Sequence, residues 1–174
     1  MKTAVVTDTN SGITAELGKE LGVYVVPMPV MIDGKTYYEG VNLTQEAFFQ
    51  SLMSGGDITT SQPSPGDVME LWDSVLTEGY DELVYIPMSS GLSNSCASAI
   101  ILAGDYEGRV QVADNHRISV TQYASILDAL KLAKEGKNAF EIKKALEAAA
   151  YDASIYIAVD TLEFLKKGGR ITPA

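Results

Sequence analysis

Two short stretches gather hydroxyl groups where an anion could be held. The first, Thr59-Thr60-Ser61-Gln62-Pro63-Ser64-Pro65-Gly66, leads into a helical pattern. Its prolines restrict the backbone and keep several side-chain donors in one place. A capped helix start needs only Ser64 and Pro65, so Thr60 and Ser61 are left over for another role. The second stretch, Pro87-Met88-Ser89-Ser90-Gly91-Leu92-Ser93-Asn94-Ser95, follows an apolar strand pattern and opens a helix. In an open α/β sheet, ligands bind at the carboxyl ends of strands, which is where this stretch falls. Gly91 lets backbone approach a ligand, and a helix start offers free N–H groups to an anion. Serine hydroxyls beside a helix dipole suit a carboxylate or a phosphate, while a plain N-cap with spare serines is the simpler alternative.

A third loop, Asp8-Thr9-Asn10-Ser11-Gly12, ends the first strand pattern. Asp8 is assigned a structural role there, tying loops together by accepting N–H bonds, because a second carboxylate beside a bound anion would repel it. Catalytic sets are poorly supplied. The chain has no G-x-S-x-G, no Walker A and no G-x-G-x-x-G. His116 follows Asp114-Asn115, which leaves open a Ser-His-Asp arrangement with Ser89 or Ser93, although a solvated loop histidine suits its polar neighbours better. Cys96 reads as a small packing residue, and Cys96 with His116 cannot make a metal cluster. No metal or cofactor is expected.

The elements that must position these loops alternate. Thr3 to Thr7, Val23 to Val26, Glu82 to Ile86, Arg109 to Val112 and Ser154 to Val159 are short β-branched or apolar runs with strand character. Between them lie helical patterns over Thr14 to Leu21, Pro65 to Thr77, Ser93 to Ala103, Ser119 to Lys134 and Ala139 to Tyr151. The fold class predicted is α/β, a mostly parallel sheet with helices on both faces. Val30-Met31-Ile32, then Asp33-Gly34, then Lys35 to Tyr38 adds a short β-hairpin, since Asp-Gly supplies the positive φ angles of a tight turn. Asn138 with Glu141 resembles a capping box.

The 174 residues are 46% hydrophobic, enough for one α/β domain spanning 1–174. The formal net charge is −10 and the lysines are scattered, which argues against nucleic-acid binding, a function that needs a clustered positive footprint. The apolar run Ala4-Val5-Val6 is too short for a signal peptide, and no segment approaches a membrane span of about 20 apolar residues. With a single cysteine as well, a cytoplasmic protein with no stable membrane insertion is expected.

The motifs in order resemble the DegV family of bacterial fatty-acid-binding proteins. The likeness runs through Asp8-Thr9-Asn10-Ser11-Gly12, Thr60-Ser61-Gln62-Pro63-Ser64, Ser89-Ser90-Gly91-Leu92-Ser93, Val112-Ala113-Asp114-Asn115 with Ser119, and Leu162-Glu163-Phe164-Leu165-Lys166-Lys167-Gly168-Gly169-Arg170-Ile171. Each string is weak alone; five in register are specific. The resemblance implies a long-chain fatty acid whose carboxylate is hydrogen-bonded by Thr60 and Ser93, with Ser61, Ser89, Ser90, Gly91 and Asn94 around it. It implies an apolar tunnel for the acyl chain and presentation of the carboxylate to a separate fatty acid kinase for phospholipid synthesis, the protein itself not being an enzyme. Arg170, preceded by Gly168 and Gly169, suits contact with the ligand, the kinase or the family's second domain. Two departures stand out: Asn94-Ser95-Cys96 occupies the place of Gly-Thr-aromatic, and Val120-Thr121-Gln122 that of a glycine-bearing stretch. Family members also continue into a second α/β domain, so a lone first domain is expected to self-associate through the surface left uncovered. The alternatives are an interaction domain without ligand, and a serine-dependent esterase or phosphate-processing enzyme.

Overall fold

A computed structural model of the chain describes residues 1–171. Strands β1 (Thr3–Asp8), β2 (Val23–Val26), β6 (Glu82–Ile86) and β7 (Val110–Val112) form a parallel sheet in the order β2-β1-β6-β7. Both faces are buried, so apolar residues fill both parities of β1 and β6. Ala4, Val6, Leu83 and Tyr85 face one core with Val68, Trp72 and Val75 of α3 (Pro65–Thr77) and Cys96 and Ala99 of α4 (Ser95–Ala103). Val5, Val84 and Ile86 face the other with Ile126 and Ala129 of α5 (Ser119–Lys134) and Ile142 and Leu146 of α6 (Ala139–Ala148), beside α1 (Ala15–Leu21). Helices therefore cover both faces, as the alternation predicted.

Local chemistry sets the helix starts. Thr14 accepts the Leu17 N–H at 3.2 Å ahead of α1, and Ser64 accepts the Asp67 N–H at 3.1 Å with Pro65 in the first turn of α3. Asn138 and Glu141 close a reciprocal box at the start of α6, at 2.8 and 3.0 Å.

The hairpin is present and larger than predicted. Strands β3 (Pro29–Ile32) and β4 (Lys35–Tyr38) turn through Asp33 and Gly34, whose φ angles are 50° and 78°. An additional strand, β5 (Ile58–Thr60), pairs antiparallel with β3, giving a three-stranded sheet in the order β4-β3-β5. Helix α2 (Gln45–Met53), capped by Thr44, packs Phe48 against this sheet beside Val30, Ile32, Leu43 and Ile58.

Ser154–Val159 is not a strand. It runs irregularly with Tyr156 95% and Ile157 63% exposed. Strand propensity there is satisfied locally, but a strand needs a neighbour for its backbone groups, and among the described residues none pairs with it. A short helix, α7 (Glu163–Lys167), follows. The predicted Ser93 start of α4 also moves: Ser93 and Asn94 lie ahead of the helix, with Asn94 at its N-cap.

Candidate functional site

The site forms where the loop after β6 meets the end of β5. Asp8, fully buried at the end of β1, organises it from below. One carboxylate oxygen accepts the Met88 N–H at 2.9 Å; the other accepts the Asn10 N–H, the Asn10 amide and the Gln122 amide, each at 3.1 Å. Burial raises its pKa despite these donors, which pull the other way. Gln122, on α5, also donates to the Thr7 hydroxyl at 3.1 Å and the Ile86 carbonyl at 3.2 Å. Asp8 and Gln122 thus lock the exit of β1 to the exit of β6, which is the structural role assigned to Asp8 from the sequence.

The serine loop then divides its labour. Ser89 is buried and does not line the cleft; its N–H donates to the Arg117 carbonyl at 2.9 Å, its hydroxyl accepts the Gly91 N–H at 3.2 Å, and its carbonyl accepts the Leu92 and Ser93 N–H groups. It shapes the turn. Ser93 accepts the Ser95 N–H at 3.1 Å through its hydroxyl oxygen, which leaves the hydroxyl hydrogen to donate elsewhere. Across the cleft, Thr60 is held by backbone pairing with Val30, and Gln62 accepts the Ser98 hydroxyl at 3.2 Å, tying that loop to α4.

Thr60, Ser61, Gln62, Ser90, Gly91, Leu92, Ser93, Asn94, Ser98, Gly168, Gly169 and Arg170 line a cleft of about 720 Å³. Seven of the eight predicted site residues come together there, Ser89 being the one that does not. Gln62, Leu92, Ser98, Gly168 and Gly169 were not among the predicted site residues. Ser98 had a signal, since it lies four residues after Asn94 and so on the same side of α4. Arg170 donates to the Gly168 carbonyl at 2.9 Å, curling back over a residue with no side chain to obstruct it.

Two apolar clefts adjoin the polar one. Phe48, Leu52, Ile58, Thr59, Thr60, Phe164, Lys167, Gly168 and Arg170 enclose about 550 Å³; Val30, Leu43, Phe48, Phe49 and Thr60, with Glu39, Thr44 and Gln45, line about 280 Å³. Thr60 lines all three. The predicted residues carried no apolar lining, because α2, β5 and α7 were not recognised. Phe48 and Leu52, four residues apart after a Thr44 cap, were the legible sign of α2.

His116 does not complete a Ser-His-Asp relay. Its Nδ1 lies 3.4 Å from the Ser90 hydroxyl and 3.4 Å from the Asp114 carboxylate, so both neighbours meet one ring nitrogen where a relay uses two. The ring stacks on Tyr151 at 5.6 Å between centroids. Cys96 is buried, and burial pushes its thiol up to about 12, which keeps it protonated and unreactive. Among the described residues, no group of three His, Cys, Asp or Glu side chains gathers to hold a metal ion, and no helix is long and apolar enough to cross a membrane.

Fold and cleft together define an α/β domain with an amphipathic pocket at the carboxyl ends of its strands, a hydroxyl-lined mouth opening onto apolar walls. The family model for DegV, described as an uncharacterised protein family, matches residues 2–174, and the chain belongs to the DegV family. A DegV domain-containing protein of Deinococcus radiodurans is 35% identical over 172 residues, covering 98% of this chain and 61% of that protein. A DegV family protein from Thermus thermophilus, whose structure is described as fatty acid binding, superposes with a TM-score of 0.87 at 35% identity, covering 97% of this chain and 60% of the other. DegV of Bacillus subtilis, described as a fatty acid binding protein, gives 0.83 at 28% identity over 97% and 61%. A stearic acid-binding protein from Eubacterium ventriosum gives 0.83 at 26% over 96% and 59%. The chain spans about three-fifths of the length of the relatives it matches.

Proposed function

We propose that this chain binds a long-chain fatty acid, with the carboxylate on Thr60 and Ser93 and the acyl chain along the apolar clefts. The observation that carries this reading is the sharing of Thr60 between a hydroxyl-lined cleft and two apolar ones. Neutral hydroxyls hold a carboxylate without a buried counter-charge, and Arg170 adds a cation at the rim of both the polar cleft and the larger apolar one. The tail supplies most of the affinity, about 0.8 kcal/mol for each methylene buried. The fatty acid binding described for the Thermus and Bacillus proteins, and the stearic acid binding described for the Eubacterium protein, support the same ligand class here.

The protein acts as a carrier and not as an enzyme, and it needs no cofactor. Ser61, Gly91 and Asn94 are exposed at the mouth, which supports presentation of the carboxylate to a separate fatty acid kinase in the cytoplasm. Apolar residues exposed along the last described segment, among them Tyr151, Tyr156 and Leu162, support self-association, which sedimentation velocity would detect. The ligand itself is tested by extracting the purified protein with organic solvent and analysing the extract by mass spectrometry. Fatty acid is expected at near-stoichiometric amounts after exposure to a lipid mixture. Its absence, combined with serine-dependent hydrolysis of an ester, would replace the carrier by an enzyme.

A further inference from the structure

Helix α7 forms one wall of the larger apolar cleft, and very little fixes it in place. From Ala153 to Ile171, among the described residues, the hydrogen bonds stay within the segment except one: Lys167 Nζ donates to Asp57 Oδ1 at 2.5 Å. No side chain of this segment enters the three hydrophobic clusters of the fold. The anchor end is well held, since the Asp57 N–H donates to Asp33 Oδ1 at 2.9 Å and its carbonyl accepts the Asp33 N–H at 3.0 Å. Lys167 stands three residues after Phe164 on α7, so the two share one side of the helix, and both line the cleft together with Phe48 and Leu52.

We propose that Lys167 and Asp57 are positioning residues for the acyl chain. Their ion pair draws α7 toward the turn before β5 and holds Phe164 across from Phe48, so that a chain leaving Thr60 is covered on two sides. The inference rests on the fatty-acid reading above and adds a determinant of tail affinity to it. Both partners are open to solvent, with side chains 50% and 71% exposed, so the pair is weak and salt screens it.

The test compares palmitate with hexanoate, which shares the headgroup and has little tail to cover. Binding of each is measured by calorimetry for the full chain, for Lys167→Glu, for Asp57→Lys and for the charge-swapped double variant. Each single variant should weaken palmitate binding about two- to fivefold more than it weakens hexanoate binding, the size an exposed ion pair supports. The swap should restore palmitate, and added salt should narrow the gap between the native chain and the single variants. Hexanoate also reports folding of each variant. Equal palmitate affinity in native and single variants, equal losses for both ligands, or no recovery in the swap would overturn the proposal while leaving the ligand class standing. Failure of the native chain to bind palmitate would bring down both.

Discussion

The two hydroxyls at Thr60 and Ser93 approach one cleft from different elements, a strand end and a loop ahead of a helix. Neither Ser93→Ala nor Thr60→Ala empties the apolar clefts, so each should cost the headgroup contribution alone. A hydrogen bond to a charged group is worth about 1.5–3 kcal/mol, so palmitate affinity should fall roughly ten- to hundredfold in each variant, as read by calorimetry. Ser89→Ala should act differently, loosening the loop instead of removing a ligand contact, because Ser89 is turned inward. That distinction was not legible in the sequence: Ser89, Ser90 and Ser93 are the same residue type within five positions, and only the burial of one separates them. Asp8 was legible, since its charge made a ligand role unfavourable. Asp8→Asn replaces an acceptor with an amide donor facing N–H groups, and a loss of about 1–3 kcal/mol is expected from the unpaired Met88 N–H. The pH dependence has a definite sign. The folded carboxyl titrates above its ordinary 3.8, so the native state keeps its proton where the unfolded chain has lost it. That contribution is fully present below the unfolded value and is lost as pH rises through the folded one. The stability advantage of the native chain over Asp8→Asn should therefore be larger in mild acid than at neutrality, measured by urea unfolding at each pH.

Elements of the parallel sheet were readable because burial on both faces leaves continuous apolar runs, and because the caps at Thr14, Ser64 and Asn138 carry their own chemistry. The missed elements lack one or the other. Strand β5 is three residues long with two exposed threonines, and α2 has no fully buried residue, so neither has a strong apolar pattern. Ser154–Val159 failed in the opposite way, with a good local pattern and nothing to pair it. The core element most open to test is α3, through Trp72. Its indole is fully buried, meets Tyr85 and Tyr106 edge-on at 5.6 and 5.5 Å, and leaves its N–H without a partner. Trp72→Ala should destabilise the fold by about 3–5 kcal/mol in chemical denaturation. Trp72→Phe should lose much less, since it keeps an aromatic ring and removes the unpaired donor.

As a whole the molecule sets a parallel sheet buried on both faces, with the candidate site at its strand ends, beside a small antiparallel sheet and a lightly held last segment. Thr60 sits where these parts meet, so a fatty acid bound as proposed would bridge them. The apolar clefts are lined from α2, β5 and α7, which come together from distant parts of the chain, whereas the hydroxyl-rich stretches are contiguous in sequence, which is why the latter stood out and the former did not. Bound ligand should stabilise such an arrangement by mass action, so palmitate should raise the melting temperature and the Thr60→Ala, Ser93→Ala double variant should lose most of that rise. A crystal structure of the chain grown with palmitate would show where the carboxylate and the tail lie. Binding as proposed would appear as electron density with the carboxylate within hydrogen-bonding distance of the Thr60 and Ser93 hydroxyls and the tail between Phe48 and Phe164. Density for the carboxylate elsewhere, with both hydroxyls facing solvent, would contradict it.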